Sequence, residues 1–218
     1  MTPSSIYKTD RGFTLIELLV VMALGLVVLG AVLNIFIKQN ETSQAQQEIA
    51  YAQQNVRAAM DLMMREIRNA GYNPENIVNF DPIPVATGTS IQVRSDYRGD
   101  DADDPPDGAV DDPNEDVTYS VSASNQIERN GQVLVDSPGG LSFGYVLEDG
   151  TTYDPPAPGD PPLDLSNVGG EDRRADVRAV IIFCGVMTAD PAPDTGEYRM
   201  RPLMNATSIR NLRFKDIH

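Results

Sequence analysis

Cysteine and histidine are almost absent from this chain. It carries one cysteine, Cys184, and one histidine, His218, at the last position. One cysteine excludes an internal disulfide and any cysteine-cluster metal site. One terminal histidine leaves a histidine-based triad or zinc site without its parts. Cys184 sits in the apolar run AVIIFCGVM, with no histidine near it in sequence. It therefore reads as a small core residue and not as a nucleophile. Positive charge is also scarce: 17 Lys and Arg face 32 Asp and Glu, a formal charge of −15. Such a surface repels phosphates, which argues against nucleic acid as a partner. The plain reading of the acidity is solubility outside a membrane, although it also suits divalent cations or a basic partner. There is no glycine-rich phosphate loop and no acid–base constellation, so the aspartates have no catalytic frame and the chain reads as a non-enzyme.

What is abundant comes early. After the short polar stretch MTPSSIYKTDRG, residues 13–37 read FTLIELLVVMALGLVVLGAVLNIFI, 25 residues in which Thr14, Glu17 and Asn34 are the strongly polar members. As a helix this run is about 37 Å long at about 1.5 Å per residue, enough for a bilayer core. The run is long for the apolar region of a secretory signal, and Glu17 would burden a plain anchor. A third reading gives Glu17 a purpose. Lys8 and Arg11 precede the run and favour a cytoplasmic N-terminus, a weak bias because Lys38 lies on the other side.

Polarity then switches. From Lys38 there is no proline until Pro74, and the segment is rich in Ala, Gln, Glu, Arg and Met, which are good helix formers. Val56, Met60, Met63, Met64 and Ile67 recur at three- and four-residue steps and mark one face as core. Gly71 is a C-cap, and Asn73-Pro74 ends the helix. With no breaker between the two stretches, one continuous helix is expected over about residues 13–70, apolar all round first and one-sided after. Beyond it lie short β-prone runs: TSIQVRS, EDVTYSVS, QIERNGQVLVD, LSFGYVLE, DVRAVIIFCGVM and ATSIRNLRF. Asn130-Gly131 is a hairpin signal, because both residues tolerate positive φ. Residues 153–170, rich in proline and glycine, form an irregular loop. The expected fold class is α+β, with an antiparallel sheet laid on the C-terminal half of a long helix.

The stretch RGFTLIELLVVMALG resembles the cleavage and methylation signature of type IV prepilins. The resemblance implies a leader of residues 1–12, cut after Gly12 by a prepilin peptidase, with N-methylation of the new terminus at Phe13. It assigns residues 13–37 to a transmembrane, later filament-core, helix, residues 38–72 to its amphipathic half and 73–218 to a β domain. Glu17 falls at the fifth mature position, where the family pairs the acid with the freed N-terminal amine of a neighbouring subunit. Phe13 and Glu17 also share a helix face, so the amine could meet its own acid. MREIRNAGY, NEDVTYSVSASNQIERNG and the late DVRAVIIFCGVM with ATSIRNL resemble PilW-like minor pilins, and pseudopilin J of type II secretion has a similar plan. Two departures from major pilins favour a minor subunit: the missing disulfide, and Asn34 at the twenty-second mature position, where many carry proline. The implied partners are other minor and major pilins, prepilin peptidase, the inner-membrane assembly platform and a tip adhesin. The implied location is the inner membrane, single-pass with a periplasmic C-terminal domain, and then the surface pilus.

Between Asp96 and Asp116 lie ten acids and one base, Arg98. Asp101, Asp103, Asp104, Asp107, Asp111, Asp112 and Glu115 could offer oxygen ligands to Ca²⁺. Pro105 and Pro106 interrupt any EF-hand pattern, so a solvated loop held open by self-repulsion is the preferred reading. Calcium, or a membrane-anchored calcium-dependent adhesion module, is the alternative; no other cofactor is implied.

Overall fold

A computed structural model describes residues 13–74, 79–99, 104–136, 139–157, 160–187 and 200–212. It has the expected α+β arrangement, one long helix followed by antiparallel β structure. Helix α1 runs Leu15–Arg68 without interruption. The chain divides into two compact units at Gln47/Glu48, and each is described by itself.

In the first unit the helix is solvent-facing on every side. All residues from 13 to 37 are exposed except the half-buried Gly30. A helix that is apolar around its whole circumference has no face to turn toward water. Within the apolar run 13–37 the one side-chain amide is satisfied locally: Asn34 Nδ2 donates to the Gly30 carbonyl at 3.0 Å.

In the second unit the helix is one-sided, as its pattern requires. Val56, Met60, Met63 and Ile67 are buried, Met64 is half-buried, and Ala59 and Ala70 complete the stripe. Burying a Val, Ile or Met side chain contributes roughly 1.5–3 kcal/mol relative to leaving it in water. The C-terminus closes where the sequence places it: Gly71 takes φ +74°, and its N–H donates to the Arg94 carbonyl at 2.8 Å.

The strands form two antiparallel sheets, not one. The first has the order β1-β2-β3-β4-β5: β1 (Val85–Ala86), β2 (Ser90–Arg94), β3 (Asp116–Val121), β4 (Ile127–Arg129) and β5 (Gln132–Val135). The second has the order β7-β6-β8-β9: β6 (Leu141–Leu147), β7 (Thr152–Tyr153), β8 (Val177–Met187) and β9 (Met200–Ser208). Alternation sets the buried faces. Ile91 and Val93 in β2 and Val117 and Tyr119 in β3 point into the core, with Ile91 opposite Tyr119 and Val93 opposite Val117. The β4–β5 hairpin turns at Asn130 and Gly131, with φ +52° and +74°. Phe143, Tyr145, Val180, Ile182 and Cys184 from β6 and β8 join the same core as the helix stripe. The division is physical: β5 and β6 are successive in the chain but do not pair, so the hairpin ladder ends at β5 and a new one starts at β6.

The last strand begins earlier than its sequence suggests. The run 206–214 is the expected strand, of which 213–214 lie outside the described residues, whereas β9 starts at Met200 and ends at Ser208; Ile209 is buried just beyond it. Pro202 and Asn205 lower its β signal, and an edge strand tolerates both. In the loop 153–170, Leu165 opens a single 3-10 turn and is fully buried, which pins an otherwise irregular connection.

Candidate functional site

Phe13 precedes the helix and is 86% exposed. Gly12, the expected cleavage residue, lies outside the described residues. Thr14 and Glu17 form a reciprocal cap. The Glu17 N–H donates to Thr14 Oγ1 at 3.3 Å, while the Thr14 N–H and hydroxyl donate to Glu17 Oε2 at 3.3 and 3.2 Å. This is the T-x-x-E capping box, which satisfies two helix-end donors. Its signal was legible in TLIE. Glu17 therefore has local partners in the uncut chain, and its carboxylate sits over the first turn, where a helix N-terminus favours negative charge. The Leu15–Arg68 helix is long and apolar enough to cross a membrane, and its apolar segment is unburied.

In the acidic loop between β2 and β3 the described acids divide into buried and exposed ones. Asp101 and Asp103 lie outside the described residues. Among those described, no group of three Asp, Glu, His or Cys is placed to hold a metal. The buried acids serve as acceptors for the loop backbone. Glu115 Oε1 accepts from the N–H groups of Tyr97 and Arg98 at 2.6 and 3.0 Å, and its Oε2 from Asp112 at 3.4 Å. Asp96 Oδ2 accepts from Gly108 N–H at 2.9 Å. Asp107 bonds locally to the Ala109 N–H at 2.8 Å. Asp104, Asp107 and Asp111 remain exposed, and Asp112 is half-buried. Desolvation, and after it the Glu115 charge, raise the Asp112 carboxyl above its ordinary range.

Two features of the β domain were not read from the sequence. The first is a polar cluster between helix and first sheet. Glu66 accepts from Tyr119 Oη at 2.5 Å and pairs with Arg129 through Nη2 at 2.8 Å and Nε at 3.2 Å. Arg129 Nη2 also donates to Asn114 Oδ1 at 2.9 Å. Burial and the Glu66 hydrogen bond hold the Tyr119 phenol well above its ordinary pKa. The partners lie 53 and 63 residues from Glu66 in sequence, so no local pattern marks them. The second is a groove of about 630 Å³ lined by Leu141, Pro156, Pro162, Leu163 and Phe183, with Asp160 and Asp164 at its margin. Cys184 is buried, and desolvation pushes its thiol up to about 12, so it is held as a protonated core residue, as expected.

Residues 7–33 match the family described as the prokaryotic N-terminal methylation motif. No curated protein matches the chain. The matched segment covers Gly12, Phe13 and Glu17 and most of the exposed apolar helix. It points to a structural protein rather than an enzyme, to processing by prepilin peptidase and to assembly with other pilins. An N-terminal methylation motif, an unburied apolar helix fit for inner-membrane anchoring and an antiparallel β domain together support a type IV pilin-like precursor.

Proposed function

We propose that this chain is a PilW-like minor pilin, a structural subunit of a type IV pilus. It is made as a single-pass inner-membrane precursor with a periplasmic C-terminal domain. Prepilin peptidase cuts it after Gly12, Phe13 is N-methylated, and the subunit enters a tip complex that primes assembly. The observation that carries this reading is the methylation motif over residues 7–33, which runs straight into an exposed apolar helix. A carboxylate inside a bilayer costs about 2.5–3.5 kcal/mol. In the capping box that cost is shared with the Thr14 donors. Cleavage creates an ammonium one residue before Thr14, and a neighbour's ammonium then becomes a charged partner for Glu17 and sets its axial register.

Co-expression with prepilin peptidase tests this. The mass should fall by the 12-residue leader, Gly12→Ala should block the cut, and Glu17→Ala should be cut but fail to enter filaments. An unchanged mass, or equal cleavage of the Gly12 variant, removes the assignment; normal incorporation of the Glu17 variant removes the inter-subunit pair. The same motif serves a type II secretion pseudopilin, and neighbouring genes for pilus retraction or for a secretin separate the two. Calcium at Asp101, Asp103, Asp104, Asp107, Asp111 and Asp112 belongs to the adhesion-module alternative, which leaves the leader unexplained. Melting of the full chain with and without millimolar calcium decides it: an upward shift supports the alternative, and an unchanged midpoint removes it.

A further inference from the structure

Nine of the described arginines fall into two groups, apart from the half-buried Arg98 of the acidic loop. Arg94, Arg129, Arg173, Arg174 and Arg178 each lie within ion-pair distance of a carboxylate. Arg57, Arg65, Arg68 and Arg210 are exposed, and none forms an ion pair among the described residues. With 32 acids against 17 bases in the chain, an exposed base has many acids to choose from. Four that remain unpaired among the described residues are therefore informative.

They are also clustered. Positions 57, 61, 65 and 68 follow steps of four, four and three along α1, so they line one stripe. The stripe faces away from the buried row of Val56, Met60, Met63 and Ile67. Arg210 joins it at the helix end, where its N–H donates to the Arg68 carbonyl at 3.0 Å. Asp61 is the one acid in the row, and Arg65 Nε reaches its backbone carbonyl at 3.3 Å, not its carboxylate. The row is thus a basic strip on a chain whose net charge is strongly negative.

The complementary surface is present in the same molecule. Asp104, Asp107 and Asp111 are exposed and unpaired with any base among the described residues. Hydrogen bonds from Tyr97, Arg98 and Gly108 N–H groups to the buried carboxylates of Glu115 and Asp96 hold the loop that displays them. We propose that the arginine stripe of one copy docks the acidic 104–111 loop of a second copy, head to tail. Guanidinium groups suit this, because their fork of donors meets carboxylates bidentately. A contact between two different patches leaves one stripe and one loop free, so it extends a row of subunits instead of closing a dimer. The contact rests on charges of the globular unit and does not require leader processing.

The test uses the full, uncut chain in detergent micelles, with two differently tagged copies. One copy carries Arg68→Cys and the other Asp107→Cys; the native thiol is buried and does not compete. Oxidation should yield the mixed disulfide at low salt, and the yield should fall about tenfold in 1 M salt, where screening shortens to about 3 Å. Arg57→Glu with Arg65→Glu in the first copy should abolish it, and adding Asp104→Lys with Asp111→Lys to the second should restore it. Far-ultraviolet dichroism confirms that each variant is folded, and the restoration arm separates lost charge from lost structure. A yield no higher than that of an Arg68→Cys with Asp136→Cys control overturns the proposal, as does indifference to salt and charge reversal. Stripe-dependent flotation on phosphatidylglycerol vesicles without the mixed disulfide also overturns it, and reassigns the stripe to anionic lipid. Since no peptidase is present, failure here and failure of leader cleavage are separate results.

Discussion

Glu66 shows how one side chain can serve two elements. It sits on the helix, half-buried, and takes donors from β3 and β4 through Tyr119 and Arg129. Both members of the ion pair are mostly shielded, with side-chain exposures of 20% and 17%. Removing one partner leaves the other charge buried without its counterpart, which costs about 3 kcal/mol. Glu66→Ala should therefore lower the stability of the full chain by that amount in denaturant melting. Tyr119→Phe should cost about 1 kcal/mol, because only a hydrogen bond is lost. Equal, negligible losses for both would show that the cluster does not tie helix to sheet. Glu17 is the contrasting case. Its partner Thr14, whose N–H and hydroxyl donate to the carboxylate and whose Oγ1 accepts from the Glu17 N–H, lies within one turn, so its local role was readable from TLIE once the helix start was known.

Among the elements, β9 carries the clearest instruction. It is the outer strand of its sheet, nine residues long, with Met204 64% exposed. Long exposed edges invite pairing with other chains. Gly185 spends its N–H and carbonyl on Gly140 and Gly139 of the β6 side, so its partner Pro202 turns its backbone outward. By alternation, Met204, Ala206 and Ser208 also face out. Pro202 has no N–H, and the Ala206 N–H is taken by Asn205 Oδ1 at 2.9 Å. The edge is thus blunted at two of its outward donors. Pro202→Val with Asn205→Ala should raise strand-mediated aggregation, followed by light scattering and thioflavin fluorescence. An unchanged aggregation rate would show that these residues do not guard the edge. The same residues hid the strand in the sequence, since proline and asparagine depress β propensity.

For the whole molecule, the titrating groups give stability a pH window. The Tyr119 and Tyr145 phenols are both raised in the fold, chiefly by burial. Below their ordinary pKa of 10.0 both states keep the proton and this contribution is complete. Above it the unfolded phenols ionise while the folded ones resist, so stability falls as pH rises. At the acid end, Asp149 is held at about 2 by the Thr151 backbone N–H and then Arg173, and Asp172 at about 2 by Arg174. Their contribution is present above 3.8 and is lost as pH falls toward 2. Melting temperatures should therefore drop above pH 10 and again below about pH 4. Tyr119→Phe should flatten the alkaline limb; an unchanged limb would assign it to other groups.

The sequence by itself determined what depends on neighbours along the chain. The apolar run, the methylation motif, the helix stripe of Val56, Met60, Met63 and Ile67, the Gly71 stop and the Asn130-Gly131 hairpin all follow from spacing and backbone preference within a few residues. Tertiary structure alone decided which strands share a sheet: β5 and β6, successive in the chain, do not pair, whereas β6 pairs with the distant β8, and β8 with β9. It also decided that Glu66 meets Arg129, that Asp96 and Glu115 turn inward to hold their loop, and that Arg57, Arg65 and Arg68 form no ion pair among the described residues. Charge on a side chain is legible in one dimension, whereas the partner that neutralises it is chosen only when the chain folds.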